Sequence, residues 1–266
     1  STEFELFGKK FKSPIMTAAL SHLNHFMFEG AAKALAEGAK AADTVLWYGM
    51  ADEPEIEEIA STGVSAIEII KPYTDRDIIY RKIEHAKKLG LLAVGIDIDH
   101  PYGEDGSADI VDGYEMTALT TKELEEICKS TDLPVIVKGV LSIYDAREAA
   151  SAGVKGMVLS HHNNRIEYAV PPLMALPEIK KSISSNVMLF VDCEIKTGMD
   201  AFKALALGAT GVCIGRPLMT EIKNGGAEAV TAYLNKSRDE LAKAMAYTGC
   251  KDLMSMDASI IHKYKG

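Results

Sequence analysis

The chain contains 266 residues, of which 47% are hydrophobic and 25% are charged, a composition typical of a globular protein with a large core. Its formal net charge of −9 excludes a broad basic surface for nucleic acid or for an anionic membrane. No apolar stretch approaches the ~20 residues that cross a bilayer, and the first residues lack the pattern of a signal peptide. We therefore expect a cytoplasmic protein that binds neither nucleic acid nor membrane.

Eight short, near-continuous apolar runs predict parallel strands that are covered on both faces. These runs are residues 13–18, 44–49, 66–71, 92–97, 134–140, 156–160, 187–192 and 211–215. Helical patterns occupy residues 30–40, 54–61, 75–89, 121–129, 142–152, 172–183, 199–207 and 226–247. Glycine follows four of these helices, where it favours the left-handed conformation that ends a helix: Gly63, Gly90, Gly153 and Gly208.

Eight strand–helix units in about 250 residues is the count of a (β/α)8 TIM barrel, here a single domain over residues 1–266. A doubly wound open sheet is the competing architecture, but it usually contains fewer strands, and no Gly-x-Gly-x-x-Gly follows the first strand. One connection, residues 100–120, is longer than the others and carries five acidic residues. Because loops of this length are usually functional, we predict a lid over the strand ends, with an inert excursion as the alternative.

The four cysteines are widely spaced, and no Cys-x-x-Cys pair occurs. This spacing predicts neither a small disulfide framework nor a metal site. Cys213 lies within an apolar run and is expected to be a reduced thiol of the core.

Polar residues follow two neighbouring predicted strands. Lys138 lies near the end of the run 134–140, and the segment SHHNNR, which contains His162 and Arg165, follows the run 156–160. Parallel α/β proteins build their sites at this end of the strands. A cation, a titratable imidazole and a carboxylate-binding guanidinium suit the oxidation of a 2-hydroxy acid. The structural alternatives are a salt bridge for Lys138 and a packing role for His162.

Long segments of the second half are specific in residue type and register. They are LPVIVKGV, SHHNNR, FVDCEIKTGMDAFKALALGATGVCIGRP and RDELAKAMAYTGCKDL. This part of the chain resembles the FMN-dependent 2-hydroxy-acid oxidase and dehydrogenase family, which includes glycolate oxidase, lactate oxidase and the flavin domain of flavocytochrome b2. The first half matches more weakly, mainly through EIEEIASTG and the position of Asp97.

The resemblance implies FMN as the cofactor and a role for each residue of the motif. Lys138 corresponds to a lysine at the flavin, where a cation stabilises the charge of the reduced ring. His162 corresponds to the base that removes the hydroxyl proton, and Arg165 to the arginine that binds the substrate carboxylate. Ser160 corresponds to a serine at the flavin. The remaining implied FMN contacts are Thr17, Ala18, Ala19, Gly49, Asp192, Lys196, Gly215 and Arg216.

The phosphate side departs from the family pattern, because Cys193 and Glu194 replace two glycines. Glycine permits close approach of the backbone to a phosphate. A carboxylate ~4 Å from one negative charge costs roughly 4 kcal/mol at an effective dielectric constant of about 20. Glu194 is therefore expected to turn away, to pair with a base such as Lys196, or to weaken FMN binding.

The substrate side departs as well. The family's glutamine and tyrosine at the end of strand three are replaced near Ile69 to Lys71, and Asn163 and Asn164 stand where the family has glycines. The chain begins close to its first strand, so we expect it to lack the N-terminal segment that supplies another substrate-binding tyrosine. The substrate is therefore expected to be a small anion other than glycolate or lactate.

These observations predict an FMN-dependent oxidoreductase that acts on a CH–OH group, with His162 as base. One alternative is a flavin-dependent isomerase of the type 2 isopentenyl diphosphate isomerase kind. The other is a flavin-free barrel that binds another phosphorylated ligand. The resemblance further implies a homo-oligomer, specifically a tetramer.

Overall fold

The computed structural model describes residues 1–103, 105–162 and 168–262. Its strands are β1 Phe4–Leu6, β2 Lys9–Phe11, β3 Ile15–Thr17, β4 Leu20–Ser21, β5 Leu46–Gly49, β6 Ala66–Ile70, β7 Ala93–Asp97, β8 Ile110–Val111, β9 Tyr114–Glu115, β10 Val135–Val140, β11 Gly156–Leu159, β12 Met188–Val191 and β13 Gly211–Ile214. Its α-helices are α1 Leu23–Phe26, α2 Ala31–Ala41, α3 Glu53–Ser61, α4 Arg76–Lys88, α5 Thr121–Lys129, α6 Ile143–Ser151, α7 Pro172–Ser182, α8 Gly198–Ala206 and α9 Arg216–Tyr247. Two short 3₁₀ helices, Leu253–Ser255 and Ala258–Ile260, follow.

The central sheet closes on itself. In the described part of the chain it has nine strands in the order β3-β13-β12-β11-β10-β7-β6-β5-β4, and neighbouring strands pair in parallel. The two edge strands, β3 and β4, are consecutive pieces of one segment that are separated only by Ala18 and Ala19. One piece pairs with β13 and the other with β5, so the sheet forms a barrel. The predicted (β/α)8 barrel is confirmed.

Large side chains fill the inside of the barrel. The rings of Trp47 and Phe190 meet edge-on, with 5.1 Å between their centroids. The antiparallel hairpin β1–β2 packs Phe4, Leu6 and Phe11 into the same cluster, beside residues that begin the barrel strands. The hairpin therefore covers the amino-terminal end of the barrel, and the sequence analysis did not predict it.

Helices surround the sheet and pack closely on one another. A Cβ atom at Gly38 of α2 would lie 2.5 Å from Cγ1 of Val230 in α9, so only glycine permits this approach. The helix predicted at 226–247 is the second part of α9, which begins at Arg216 and leaves helical geometry at Gly225 and Gly226. None of the described helices combines the length and hydropathy needed to cross a membrane.

The long connection after β7 contains the antiparallel hairpin β8–β9. Tyr114 packs its ring edge-on against Tyr73, with 5.6 Å between the centroids, and Tyr73 also forms a β-bridge with Met116. The side chain of Arg76 donates hydrogen bonds to the carbonyl oxygens of Thr117 and Ala118. The connection is thus attached to the segment after β6. Its function as a lid stays a prediction.

Candidate active site

The carboxyl ends of three neighbouring strands bring the predicted lysine and histidine together. Lys138 of β10 lies in register with Asp97 of β7, and its Nζ lies 3.2 Å from Asp97 Oδ1. His162 follows β11, and its Nδ1 lies 3.2 Å from Lys138 Nζ. The backbone N–H of His162 donates to Ser160 Oγ at 3.1 Å. Arg165, the third member of the predicted motif, lies outside the described residues.

A second lysine, which the sequence analysis did not select, reaches the same carboxylate. Lys71 directly follows β6, and its Nζ donates to Asp97 Oδ2 at 2.6 Å. Lys71, Asp97 and Lys138 are all nearly inaccessible to solvent. Asp97 therefore has one ammonium group on each carboxylate oxygen. The sequence carries one signal for Lys71: it lies at the end of an apolar run, as Lys138 does.

The charges in this cluster stabilise one another. Burial raises the pKa of Asp97, but the ammonium groups of Lys138 and Lys71 outweigh burial and hold this pKa well below its ordinary value. Burial lowers the pKa of Lys138, but Asp97, Asp99 and Asp192 outweigh it and raise this pKa above its ordinary value. For Lys71, burial prevails and lowers the pKa, because Asp97 offsets it only partly. Lys138 is consequently a fixed cation.

Two residues of the connection after β7 contact His162, and the sequence analysis selected neither. Both carboxylate oxygens of Asp99 lie 3.2 Å from His162 Nδ1. The ring of His100 meets the ring of His162 edge-on, with 5.0 Å between the centroids. His100 Nδ1 in turn lies 2.5 Å from Asp109 Oδ2. The imidazole of His162 therefore contacts a carboxylate, an ammonium and a second imidazole.

Asp97, Asp99 and His162 present donor atoms within 4.8 Å of one another, a spacing that also occurs in metal sites. In this cluster Lys138 Nζ approaches Asp97 Oδ1 and His162 Nδ1 to 3.2 Å each. The ammonium group thus supplies positive charge where a metal ion would supply it. We interpret the three residues as part of a charge network.

A cavity of about 570 Å³ opens at the mouth of the barrel, between the first barrel segment and the ends of β12 and β13. Eight of its lining residues are predicted site residues: Ala18, Ala19, Lys138, His162, Asp192, Lys196, Gly215 and Arg216. Cys193 and Glu194, which stand in place of two glycines, line it as well. Three other predicted contacts belong to its surroundings. Thr17 bonds through Oγ1 to the backbone of Trp47, Gly49 packs beside Ala19, and Ser160 is completely buried.

Cys193 and Glu194, which stand in place of two glycines, adopt a backbone conformation that favours glycine. Cys193 and Glu194 have φ angles of 64° and 62°, in the left-handed region that is costly for side-chain-bearing residues. Glu194 Oε2 lies 2.5 Å from Lys196 Nζ, and both side chains are more than half exposed. Of the expected outcomes for Glu194, the structure shows pairing with Lys196.

The thiol of Cys193 faces inward beside Asp192. Its Sγ donates to Asp192 Oδ1 at 2.9 Å and lies 3.6 Å from Ser160 Oγ. Burial, with a further contribution from the Asp192 charge, raises the pKa of this thiol to about 12. Cys193 is therefore a neutral donor at physiological pH rather than a nucleophile. All four cysteines, Cys128, Cys193, Cys213 and Cys250, are free.

The donor groups around this cavity fit FMN. Lys138 supplies a buried cation, and Asp192 supplies a carboxylate that accepts hydrogen bonds from hydroxyl groups. Gly215 and Arg216 place the amino terminus of α9 at the cavity wall, and a helix amino terminus favours a phosphate. Lys196 adds a second cation on that side. The cavity volume lies within the range for cofactor sites.

A second cavity, of about 900 Å³, adjoins the first through His100. It lies between the loops that follow the first three barrel segments and the β8–β9 hairpin. Aromatic and histidine side chains form much of its wall: His22, His25, Phe26, Tyr73, His100 and Tyr114. The sequence analysis did not predict this cavity.

Comparisons with known proteins agree with the site. The family model for FMN-dependent dehydrogenases matches residues 1–118 and 104–263. Glycolate oxidase of Spinacia oleracea is 30% identical over 96% of this chain and 79% of its own length. Glycolate oxidase 1 of Zea mays is 30% identical over 92% of this chain and 76% of its own length.

Solved structures give the same result. A mandelate oxidase variant with a monooxide FMN adduct superimposes with a TM-score of 0.88, at 30% identity over 97% of this chain and 82% of the other. Mandelate oxidase with 3,3-difluoro-2-hydroxy-3-phenylpropionic acid superimposes with a TM-score of 0.86, at 29% identity over 96% and 80% of the two chains. The predicted cofactor and enzyme class are confirmed, and neither the isomerase nor the flavin-free alternative is favoured. The chain belongs to the FMN-dependent dehydrogenase family and is an oxidoreductase with FMN as its cofactor.

Proposed function

We propose that the protein oxidises the CH–OH group of a small anionic 2-hydroxy acid, with His162 as the base. One observation carries this proposal: His162 and Lys138 lie 3.2 Å apart and line the same cavity as Asp192 and Arg216. The relatives support the substrate class, because glycolate oxidases and mandelate oxidase are named for 2-hydroxy acids.

The chemistry needs an electron acceptor and a proton acceptor. When bound, FMN supplies the two-electron acceptor for the carbon centre. His162 accepts the hydroxyl proton at Nε2, since Nδ1 faces Asp99 and Lys138. The fixed charge of Lys138 stabilises negative charge that develops in the buried mouth. Arg165 is proposed to bind the substrate carboxylate through its planar guanidinium.

The remaining predicted residues are proposed to hold FMN. Asp192 would bind hydroxyl groups, Lys196 and Arg216 the phosphate, and Ala18 and Ala19 a flat face. Thr17, Gly49, Ser160 and Gly215 would shape the wall behind these groups.

The second cavity supports a substrate larger than glycolate. The ring of His100 forms part of its wall and also contacts His162, so a substrate that reacts at His162 has room to extend there. Phe26, Tyr73 and Tyr114 offer aromatic surface in this space. We therefore favour a 2-hydroxy acid with an extended, partly apolar side chain.

The test is anaerobic reduction of the purified, FMN-loaded protein by a series of 2-hydroxy acids: glycolate, L-lactate and (S)-mandelate. Loss of the visible flavin absorption is expected with at least one of them, and fastest with the largest side chain. His162→Ala should slow this bleaching at least ~100-fold. His85→Ala, which removes a partly buried histidine of α4 that pairs with Glu57, is the matched control and should bleach at the native rate. A His162→Ala protein that bleached equally fast would rule out the proposed base.

A homo-oligomer, a cytoplasmic location and the lack of nucleic-acid and membrane partners remain predictions. Light scattering of the purified protein measures the first, with a tetramer as the expected result.

A further inference from the structure

Three charged side chains, Lys71, Asp97 and Lys138, form a single charged layer across the mouth of the barrel. Asp97 of β7 is in register with Lys138 of β10. On the other side of β7, Ile96 is in register with Ile70 of β6, so the residues that follow them, Asp97 and Lys71, lie side by side. Residues at one level of neighbouring strands point to the same face of a sheet. The three side chains therefore share one face and contact one another.

Apolar residues lie directly below the charged layer. Ile69, Gly95 and Ile136 each precede a residue of this layer by two positions, so they belong to the same face of the sheet. Ile69 and Ile136 are part of the apolar cluster inside the barrel, and a Cβ atom at Gly95 would lie 2.3 Å from Cδ1 of Ile69. Each member of the charged layer is at most 5% exposed. Because burial keeps water from these charges, their field is screened only weakly.

The two ammonium groups of the charged layer hold the carboxylate between them. Lys71 Nζ lies 2.6 Å from Asp97 Oδ2, and Lys138 Nζ lies 3.2 Å from Asp97 Oδ1. Two positive charges and one negative charge leave the layer with one net positive charge. The pair of Lys138 and Asp97 alone would be electrically neutral. The charge of Lys71 therefore decides whether the layer has a net charge.

Lys138 also faces two further carboxylates. Asp99 and Asp192 act on it together with Asp97, and the three raise its pKa above its ordinary value. Lys138 and Asp192 line the cavity that fits FMN. Reduction adds negative charge to a flavin, which a nearby cation favours and nearby carboxylates oppose. One ammonium among three carboxylates supplies little net positive charge, and Lys71 offsets one of the three.

We propose that Lys71 is a positioning residue that acts through Asp97: by offsetting this carboxylate, it leaves the positive charge of Lys138 available to the flavin and so raises the reduction potential of bound FMN. Lys138 lines the cavity, whereas Lys71 contacts the other oxygen of Asp97 and acts by its charge. The inference depends on the FMN cofactor and not on the identity of the substrate.

The test is the two-electron reduction potential of FMN in the loaded protein, measured anaerobically without any hydroxy acid. Xanthine and xanthine oxidase reduce the protein slowly beside a reference dye of known potential, and the absorbances of flavin and dye report the equilibrium. In Lys71→Met the equilibrium constant for flavin reduction should fall at least ~10-fold. This decrease corresponds to ~30 mV for a two-electron couple. A native potential in this variant would overturn the proposal.

A double variant separates the effect of charge from an effect on the fold. Lys71→Met/Asp97→Asn removes one charge of each sign, so Lys138 again gives the layer one net positive charge. Its equilibrium constant for flavin reduction should return to within ~3-fold of the native value. If Lys71 only supported the fold, removing both partners would disturb the site at least as much as removing one. A potential as low as in Lys71→Met would therefore contradict the proposal.

The control is Lys87→Met, which removes a lysine from an exposed pair with Asp132 and should leave the potential unchanged. Should Lys71→Met not fold, Lys71→Gln removes the same charge and its amide can still donate to Asp97. A native potential in Lys71→Gln would overturn the proposal equally. If the potential falls as expected but no 2-hydroxy acid bleaches the flavin, the proposed substrate class is wrong and the role of Lys71 stands.

Discussion

The ammonium group of Lys71 lies 2.6 Å from Oδ2 of Asp97, and each side chain is only 4% exposed. Lys71 directly follows β6, near the positions where the sequence analysis expects the family's glutamine and tyrosine to be replaced. In this chain its contact is directed to a buried carboxylate. The pair therefore contributes to the stability of the barrel mouth and restricts Asp97 to lysine partners.

Breaking a buried ion pair costs ~3–5 kcal/mol. We expect Lys71→Met to lower the free energy of unfolding by an amount at the lower end of this range. The lower end applies because Asp97 keeps Lys138. Urea unfolding measures the change. Lys87→Met removes a lysine from an exposed pair with Asp132 and serves as the control, with an expected loss below ~1 kcal/mol. Equal losses in the two variants would show that burial does not strengthen the Lys71 contact.

The acid dependence of stability should include a contribution from Glu123, which anchors the end of the long connection. The backbone N–H of Thr120 and the side chain of Arg76 lower the pKa of Glu123 from 4.5 to about 2. Because the pKa is lower in the folded state, the stabilisation is complete above pH 4.5 and is lost as the pH falls toward 2.

Glu123→Gln should therefore be less stable than the native protein at pH 7, by about 0.5–1 kcal/mol. The difference should shrink as the pH falls below 4.5, the ordinary pKa of the group. Unfolding in urea at a series of pH values measures it. Glu178→Gln, at an exposed position of α7, is the control and should change the stability at pH 7 by less than about 0.5 kcal/mol. A Glu123→Gln difference that stayed constant would exclude the predicted linkage.

The barrel was predictable because its signals are local. Each barrel strand is an apolar run of a few residues, and the four glycines predicted to end helices, Gly63, Gly90, Gly153 and Gly208, all have positive φ angles. The β1–β2 hairpin escaped prediction because each of its strands has three residues, which is too few to show a period.

The charge network was not predictable for a different reason. Lys71 and Asp97 are 26 residues apart, and His162 and Asp99 are 63 apart. Their contacts depend on which strands are neighbours and on the rotamer each side chain adopts. Lys138 and His162 could be selected because each lies at the end of an apolar run in the sequence, and the resemblance then assigned their roles. The resemblance offered no signal for Asp99, which the matched segments do not include.

The phosphate side of the cavity should bind FMN more tightly when its glycines are restored. In the double variant Cys193→Gly/Glu194→Gly, glycine adopts the two left-handed backbone conformations without strain. The variant also lacks the Glu194 carboxylate, and its backbone can approach the FMN phosphate more closely. We expect the dissociation constant of FMN to fall by about tenfold, equivalent to ~1.4 kcal/mol. Quenching of FMN fluorescence during titration measures it.

The control for this double substitution is Asp43→Gly. Asp43 has a left-handed φ of 55° and lies beside the amino-terminal hairpin, where its carbonyl accepts from Lys12 N–H. The substitution removes a side chain from a residue with a left-handed backbone conformation, together with one negative charge, far from the cavity. The affinity for FMN should therefore not change. An unchanged affinity in the double variant would mean that the Glu194–Lys196 pair already keeps the carboxylate away from the phosphate.

Strand β10 shifts its register against β11 between Lys138 and Val140, and Gly139 at this point has a φ of +108°. A substitution at Gly139 tests the site without altering any charged group. In Gly139→Ala the new Cβ would lie 2.5 Å from Cβ and Cγ of Asp99, so the carboxylate must move away from His162. Flavin bleaching should slow at least ~10-fold while FMN remains bound. Gly90→Ala introduces the same strain at a φ of +70° but meets no atom within 4 Å, so it should cost stability without slowing the reaction. Stopped-flow absorbance separates the two variants, and an equal rate in both would show that His162 works without Asp99 in place.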